Sequence, residues 1–272
     1  MNTNELIQNS SVLRKGILDV CYAAKAGHVG GSLSCIDILN VLYNHEMKVS
    51  VDPVVWDQND RFILSKGHVA EALYVTLANK GFITQEQLLT YTQYQSNIYG
   101  HPSIKVPGVL VGTGALGHGL SIGVGVALAD KMNKRNQRTY VLLGDGELAE
   151  GSNWEAAMSA SHYQLDQLIV IVDKNGLQIT NTTDHVMSTH SLSDKWKSFG
   201  FTVIETNGND VNQLVQSFEE AWLHVGKPTV IIAHTTKGKG VSFMENQLKW
   251  HHGVLSDEQY RQASKEVGGM DE

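Results

Sequence analysis

TYVLLGDGELAEGSNWEAAMSASHYQLDQLIVIVDKNGLQIT, residues 139–180, decides the fold. A short apolar run opens the stretch and breaks at GDG, residues 144–146; a helical pattern follows over residues 151–163, and a second apolar run covers residues 168–172. Strand, tight turn, helix and strand form a βαβ unit, in which the strands are parallel and the crossover is expected to be right-handed. The stretch therefore predicts an α/β fold built on a parallel sheet.

Polar residues follow both predicted strands at the point where each strand ends. Asp145 lies in the turn after the first strand, and Asn175 follows the second. Because the carboxyl ends of parallel strands meet at one edge of the sheet, we expect these side chains to converge there. Carboxylate and amide oxygens suit a hard cation such as Mg²⁺ or Ca²⁺. Gly146 lets backbone N–H groups approach a phosphate held by that cation.

The rest of the chain continues the alternation of helices and strands. Helical spacing of apolar residues and short apolar runs predict four longer helices (6–26, 35–44, 116–133, 211–225) and three further strands (61–65, 201–205, 229–234), with a loop over residues 28–32. This order predicts a doubly wound, mostly parallel sheet with helices on both faces. Since no repeat, low-complexity tract or linker divides the sequence, residues 1–272 are predicted to form a single domain.

The composition excludes several classes of protein. Of 272 residues, 42% are hydrophobic and 18% are charged, which is typical of a globular protein with a full core. A net charge of −7 argues against a nucleic-acid-binding protein. No apolar run approaches the roughly 18 residues that span a membrane, and the first residues do not form a signal peptide. With only Cys21 and Cys35 present, a reducing, cytoplasmic location is expected.

A competing motif occurs at residues 112–117, GTGALG, which matches the GxGxxG pattern of nicotinamide-binding sites. That interpretation requires a strong strand just before the glycines and an acidic residue at the end of the next strand. The run at residues 109–111 is short, and Asp130, at about the right spacing, lies in the charged end of a predicted helix. A nicotinamide site is therefore disfavoured.

Histidines beside glycine are the other conspicuous feature. Of the 12 histidines, those paired with glycine in predicted loops are His28, His68, His101, His118 and His252. Glycine lets such loops approach a ligand closely. Imidazoles can donate hydrogen bonds to phosphate and hydroxyl groups and can carry protons near neutral pH.

These segments, taken in order, resemble transketolases. The matching segments are KAGHVGGS (25–32), SKGH (65–68), GHP (100–102), TGALGHG (113–119), GDG (144–146), DKNGL (173–177), KGKG (237–240) and HG (252–253). Ala115 stands where these enzymes usually have proline. The resemblance extends over nearly the whole chain and implies the fold that binds thiamine diphosphate.

The resemblance also implies roles for individual residues. The metal would be held by Asp145, Asn175 and the backbone carbonyl of Leu177, and the diphosphate by His68, the Gly146 amide and His252. Other cofactor contacts are implied for Gly114, Leu116, Gly144 and Glu147. His28, His101 and His252 would face the ketose substrate. His251 competes with His252 for its role, but only His252 directly precedes glycine.

Transketolases are more than twice as long as this chain. Their second domain supplies the glutamate that protonates the aminopyrimidine ring, and nothing after Gly253 could hold it. The chain therefore resembles the N-terminal, diphosphate-binding subunit of a split transketolase. The implied partner is a C-terminal transketolase subunit with the pyrimidine-binding and C-terminal domains, assembled as α2β2 with the cofactor between chains.

The function implied is transfer of a two-carbon ketol unit from a ketose (phosphate) to an aldose (phosphate). Within thiamine chemistry, the alternatives are the alpha subunit of a 2-oxo acid dehydrogenase and a deoxyxylulose-phosphate-synthase-like enzyme. A non-catalytic, cofactor-binding paralogue is a further alternative from a different class. The sequence does not distinguish pentose phosphates, sulfo-sugars and branched sugars as substrates.

Overall fold

Five parallel strands form one sheet at the centre of the computed structural model, which describes residues 1–268 apart from the side chains of Pro53 and Trp56. The last four residues of the predicted domain, 269–272, lie outside the described part. The strands are β1 (Arg61–Leu64), β2 (Thr139–Gly144), β3 (Leu168–Lys174), β4 (Thr202–Asn207) and β5 (Thr229–His234), in the order β1-β2-β3-β5-β4. The predicted parallel α/β sheet is confirmed.

Helices cover both faces of this sheet. They are α1 (Thr3–Ala24), α2 (Val29–Val41), α3 (Ala70–Lys80), α4 (Gln85–Leu88), α5 (His118–Met132), α6 (Gly151–His162), α7 (Thr183–Met187), α8 (Leu192–Ser198), α9 (Val211–Ala221) and α10 (Asp257–Glu266). Alternate residues of the strands enter different apolar clusters, because successive side chains of a strand point to opposite faces. Leu142 packs with α1, α2, α3 and α9, whereas Leu143 packs with α5, α6 and α8. The doubly wound arrangement is therefore confirmed.

The start of α2 differs from the prediction. The glycine-rich residues 28–32 were predicted as a loop, but α2 begins at Val29 and includes Gly30 and Gly31. A Cβ atom on Gly30 would lie 2.6 Å from the backbone oxygen of Trp250, and one on Gly31 would lie 2.8 Å from Val69 Cγ1. Glycine here permits close packing of a helix rather than an irregular backbone.

The GxGxxG match does not have the structure that nicotinamide binding requires. Residues 109–111 form no strand, and the strand that precedes the motif in the chain, β1, ends far earlier at Leu64. Asp130 lies inside α5 and not at the end of a strand. The motif instead leads from an irregular segment into α5.

Among residues 1–268, no helix has the length and apolar character needed to cross a membrane.

The register of the sheet places several loops at one edge. Gly144 of β2 is paired with Asp173 of β3, and Lys174 with His234 of β5. The segments that follow these strands therefore leave the sheet side by side at its carboxyl edge. A ligand site at this edge is expected for an open α/β sheet.

Candidate functional site

A cleft of about 490 Å³ lies at the carboxyl edge of the sheet. Of the residues predicted to form a site, those that line it are His28, His68, Gly114, Leu116, Gly144, Asp145, Gly146, Glu147, Asn175 and Leu177. Residues outside the predicted set also line it, together with His251, the competitor of His252: Gly31, Lys66, Gln178, Ile179, Thr180, Val186 and Lys237. The cleft thus brings together side chains from segments more than 200 residues apart in the sequence.

Asp145 joins the two loops that follow β2 and β3. Its Oδ2 atom accepts a hydrogen bond of 2.6 Å from the backbone N–H of Gly176, and its Oδ1 atom accepts one of 2.9 Å from that of Gly146. Burial, together with the neighbouring carboxylate of Asp173, raises the pKa of Asp145 to about 6. Asn175, in the same loop as Gly176, accepts a hydrogen bond from the Leu177 N–H at 3.1 Å. The two loops are therefore in direct contact.

This oxygen set fits a hard cation. The Asp145 carboxylate, the Asn175 amide and the Leu177 residue line the same cleft, and Asp145 is only 4% exposed. The pKa of this buried carboxyl is raised, and a bound cation would stabilise its ionised form. Within the described ranges, no three His, Cys, Asp or Glu side chains form a metal-binding group. The predicted set contains a single acidic side chain, so it would depend on amide and backbone oxygens.

A buried ion pair lies against the cleft. The Lys66 ammonium group donates a hydrogen bond to Asp173, which also accepts one from Ser34 Oγ at 2.6 Å and one from Thr235. Burial opposes the charging of Lys66, but the adjacent Asp173 carboxylate outweighs burial and raises the lysine's pKa. Burial likewise opposes ionisation of Asp173, and Lys66 reverses that effect, so its pKa is lowered. Both groups are charged in the folded protein.

The predicted histidines meet around His28. The centroid of its ring lies 5.3 Å from that of His68, 6.4 Å from that of His101 and 4.9 Å from that of His252. Burial, reinforced by the charges of His252 and His101, lowers the pKa of His28 to about 4. Burial and Lys66 lower the pKa of His68 strongly as well. Both imidazoles are therefore neutral at physiological pH.

His251 lies in the cleft, and His252 lies beside it, next to His28. The His251 ring stacks on His68 at 5.4 Å, and its Nδ1 atom lies 2.9 Å from Lys237 Nζ. His252 and His101 are exposed, and neither lines the cleft itself. The His-Gly pattern singled out only His252, whereas His251 is the more enclosed of the two.

The electrostatics of the cleft suit an anion. Burial and the nearby Lys66 lower the pKa of Lys237 to about 8, so it still carries a proton near neutral pH. Two buried atoms lining the cleft, His28 Nδ1 and Gln178 Oε1, have no hydrogen-bond partner among the described residues. The two lysines and the imidazole of His68 are the groups that a diphosphate would use.

Glu147 holds the turn in place through both carboxylate oxygens. One accepts hydrogen bonds from Ser65 Oγ and from the Gly117 N–H at 2.9 Å, and the other accepts from the Gly144 N–H at 3.0 Å. These contacts tie the turn after β2 to the beginning of α5. Its predicted contact with the cofactor stays a prediction.

Lys66 and Lys237 are charged residues of the cleft that the sequence did not single out. Each occupies a segment that was already singled out, Lys66 in SKGH and Lys237 in KGKG. Their burial is the unexpected feature, since both are only 2% exposed. A lysine inside a glycine-rich loop beside a predicted phosphate site was the signal available.

Comparisons with known proteins agree with this geometry. The family model for "Transketolase, thiamine diphosphate binding domain" matches residues 5–272. The chain is 50% identical to one subunit of an apulose-4-phosphate transketolase from Phocaeicola vulgatus, over 98% of this chain and 95% of that protein. It is 38% identical to one subunit of a 6-deoxy-6-sulfo-D-fructose transketolase from Clostridium sp., over 97% of this chain and 96% of that protein.

A solved structure gives the same result. The transketolase of Campylobacter jejuni superposes with a TM-score of 0.92 at 32% sequence identity and covers 98% of this chain. The chain spans only 43% of that enzyme's length.

Proposed function

The chain belongs to the transketolase family and corresponds to its N-terminal, thiamine diphosphate-binding part, and from this we propose that it is one of the subunits of a thiamine diphosphate-dependent transketolase. The reaction is transfer of a two-carbon ketol unit from a ketose (phosphate) to an aldose (phosphate). The observation that carries the proposal is the cleft in which Lys66, Lys237 and His68 lie beside the Asp145–Asn175 oxygen set.

The residues of the cleft divide into an anion-binding and a cation-binding group. Lys66, Lys237 and His68 would bind the diphosphate, while Asp145, Asn175 and the Leu177 carbonyl would hold Mg²⁺ or Ca²⁺. When bound, thiamine diphosphate supplies the nucleophilic carbon that breaks and forms the carbon–carbon bond. The protein's part is to bind, to orient and to move protons.

Proton transfer falls to the imidazoles at the mouth of the cleft. His28 is neutral, and its Nδ1 atom is free to accept or donate a hydrogen bond to a sugar hydroxyl. His101 and His252 are exposed beside it and can contact the same sugar. The arrangement suits a polyhydroxylated substrate that loses and regains protons at its oxygens.

A partner chain completes the proposal. Three relatives, of whose length the match covers 95–97%, are each named as a subunit of a transketolase, and the solved transketolase is more than twice as long as this chain. We propose a C-terminal partner subunit with pyrimidine-binding and C-terminal domains, assembled as α2β2. The relatives' names make apulose 4-phosphate the first donor to test and 6-deoxy-6-sulfofructose the second.

Reconstitution tests the function. The chain alone, supplied with thiamine diphosphate and Mg²⁺, is expected to show no ketol transfer from these donors or from xylulose 5-phosphate to an aldose phosphate. Addition of the partner subunit is expected to restore transfer. A coupled assay that records the oxidation of NADH measures the transfer.

Other outcomes assign other functions. Turnover by the chain alone contradicts the split-subunit proposal, and reaction of the reconstituted pair with pyruvate instead of ketoses indicates a different thiamine enzyme. Cofactor binding without turnover of either substrate class indicates a non-catalytic paralogue.

A further inference from the structure

Helix α3 carries a fully buried carboxylate that contacts the backbone of His28. Glu71 Oε1 accepts hydrogen bonds from the His28 N–H at 2.8 Å and from the Tyr91 hydroxyl at 2.6 Å, and Oε2 accepts one from Ser32 Oγ at 3.0 Å. His28 immediately precedes α2, where a backbone N–H has no acceptor within the helix. Glu71 therefore supplies the acceptor that fixes the His28 backbone.

The close approach of this carboxylate depends on Gly27. A Cβ atom at Gly27 would lie 2.7 Å from Glu71 Oε1 and 2.7 Å from Cys21 Sγ, and the backbone φ of +140° is one that other residues rarely adopt. Among residues 1–268, no cation forms a salt bridge with Glu71. Burial raises the pKa of the Glu71 carboxyl, and its three hydrogen-bond donors, rather than a counter-charge, stabilise its ionised form.

One turn further along α3, Tyr74 contacts the backbone of His101. The hydroxyl of Tyr74, which is fully buried, donates a hydrogen bond of 2.8 Å to the His101 carbonyl oxygen. Residues three apart lie on one face of a helix. The face that presents Glu71 to His28 thus presents Tyr74 to His101, and Tyr91 packs edge-on against Tyr74 at 6.3 Å.

The segment that carries His101 is irregular and is anchored by single buried residues, Ile98 before His101 and Val106 after it. Residues 89–117 contain no helix and no strand. The His28 and His101 rings nevertheless lie 6.4 Å apart at the mouth of the cleft. Because α3 forms hydrogen bonds with the backbones of both His28 and His101, it links their positions directly.

We propose that Glu71 and Tyr74 are positioning residues that hold His28 and His101 at the spacing needed to bind and deprotonate the sugar. This inference rests on the proposed transketolase function and assigns part of its substrate site to α3. Neither residue is placed against the cofactor or the metal, so their effect is on the sugar alone.

The test uses Glu71→Gln and Tyr74→Phe, which nearly preserve side-chain volume. In the chain reconstituted with its partner subunit, each is expected to lower kcat/KM for the donor ketose by on the order of tenfold or more, because small misplacements of reacting groups are costly. The Kd for thiamine diphosphate with Mg²⁺ is expected to stay within about twofold of the unsubstituted pair, because α3 does not carry the diphosphate ligands.

A second readout needs neither partner nor cofactor. In the isolated chain labelled at histidine with ¹³C and ¹⁵N, Tyr74→Phe is expected to shift the His101 resonances, and Glu71→Gln the His28 amide. The exposed His162 of α6 should not move in either variant.

Tyr140→Phe is the matched control, because the buried Tyr140 also donates a hydrogen bond, of 2.8 Å and partly buried, to the Glu46 carboxylate. It is expected to lower Tm without changing kcat/KM. The inference is overturned if the α3 variants behave like Tyr140→Phe, with lower Tm but unchanged kcat/KM and histidine resonances. Absence of ketol transfer in the unsubstituted pair would refute the proposed function instead, and the resonances would still decide the positioning.

Discussion

Lys66 and Asp173 form an ion pair in which the two side chains are 2% and 0% exposed. Asp173 also accepts hydrogen bonds from Ser34 and Thr235, so both of its carboxylate oxygens are hydrogen-bonded. A buried ion pair adds little net stability, but removal of one partner leaves the other charge uncompensated. The pair therefore keeps a lysine charged at the wall of the cleft, where an anionic ligand can use it.

Asp173→Ala is expected to lower the free energy of unfolding by about 3–5 kcal/mol, because Lys66 would remain buried without its counter-charge. Urea titration followed by circular dichroism measures the loss. Glu205→Gln is the control, since Glu205 pairs with His234 on the surface, where both side chains are nearly half exposed. The control should lose less than about 1 kcal/mol, and equal losses in the two variants would contradict the buried pair.

Asp145→Asn is expected to change metal-dependent binding much more than stability. Loss of the only acidic ligand should abolish the dependence of thiamine diphosphate binding on Mg²⁺ or Ca²⁺, measured by calorimetric titration. Because the pKa of Asp145 is raised to about 6 in the folded chain, its ionisation destabilises the fold as pH rises through that value. Asparagine, however, offers only one acceptor oxygen to the N–H groups of Gly146 and Gly176, and this loss offsets the gain. In the absence of metal near neutral pH, the free energy of unfolding should therefore change by less than about 1 kcal/mol.

The surface residue Asp184 provides the control for this prediction, because it lies exposed in α7. Asp184→Asn should leave both the metal dependence and the stability unchanged. Retention of metal-dependent binding by Asp145→Asn would show that the metal ligands are elsewhere.

The imidazoles of the cleft should make the metal-free chain sensitive to acid. The pKa of His28 is lowered to about 4 and that of His251 to about 3, chiefly by burial. In the unfolded chain these imidazoles have a pKa near 6.5. The unfolded chain therefore takes up more protons than the folded chain, and the free energy of unfolding falls as the pH drops from about 6.5 toward the folded pKa values. Between about pH 7.5 and 5.5, each of these two imidazoles should lower the free energy of unfolding by roughly 1 kcal/mol, and by less where the ring is partly exposed.

The measurement compares urea unfolding at the two pH values in the unsubstituted chain and in His28→Asn/His251→Asn. The double variant should lose less stability on acidification, because two of the groups that take up protons on unfolding are gone. His162→Asn removes an exposed imidazole and should change nothing. An equal acid loss in all three proteins would refute the assigned titrations.

Periodicity and local motifs were enough to predict the sheet, because its strands are short apolar runs and their order along the chain follows from alternation with helices. They also predicted that Asp145 and Asn175 meet, since both follow neighbouring parallel strands. These inferences need only the direction of a strand and the residue at its end.

What could not be predicted depends on long-range packing. Gly30 and Gly31 are ordinary loop signals in the sequence, and only their distant neighbours, the backbone of Trp250 for Gly30 and the side chain of Val69 for Gly31, make them helical packing positions. The choice between His251 and His252 likewise depends on which ring stacks against His68. Burial of Lys66 depends on Asp173, and no local pattern reports such a pair.

Gly30→Ala tests the contact between α2 and the segment that carries His251. In an open helix position, alanine is favoured over glycine by about 1 kcal/mol. Gly125 of α5, where an added Cβ atom would have no neighbour within 4 Å, should show that gain as Gly125→Ala. At Gly30 the new methyl group would meet the Trp250 carbonyl oxygen at 2.6 Å, and Gly238 donates a hydrogen bond of 2.8 Å to the Gly30 oxygen.

Because backbone atoms on both sides are fixed, Gly30→Ala is expected to destabilise the chain by about 1–3 kcal/mol. Displacement of Trp250 would also carry the next residue, His251, away from Lys237, which now lies 2.9 Å from its Nδ1 atom. Thermal unfolding measures the first effect, and the Kd for thiamine diphosphate, expected to weaken, measures the second. A Gly30→Ala chain as stable as Gly125→Ala would mean that α2 and Trp250 are not in contact, and the cleft wall that His251 and Lys237 form would then lack its support.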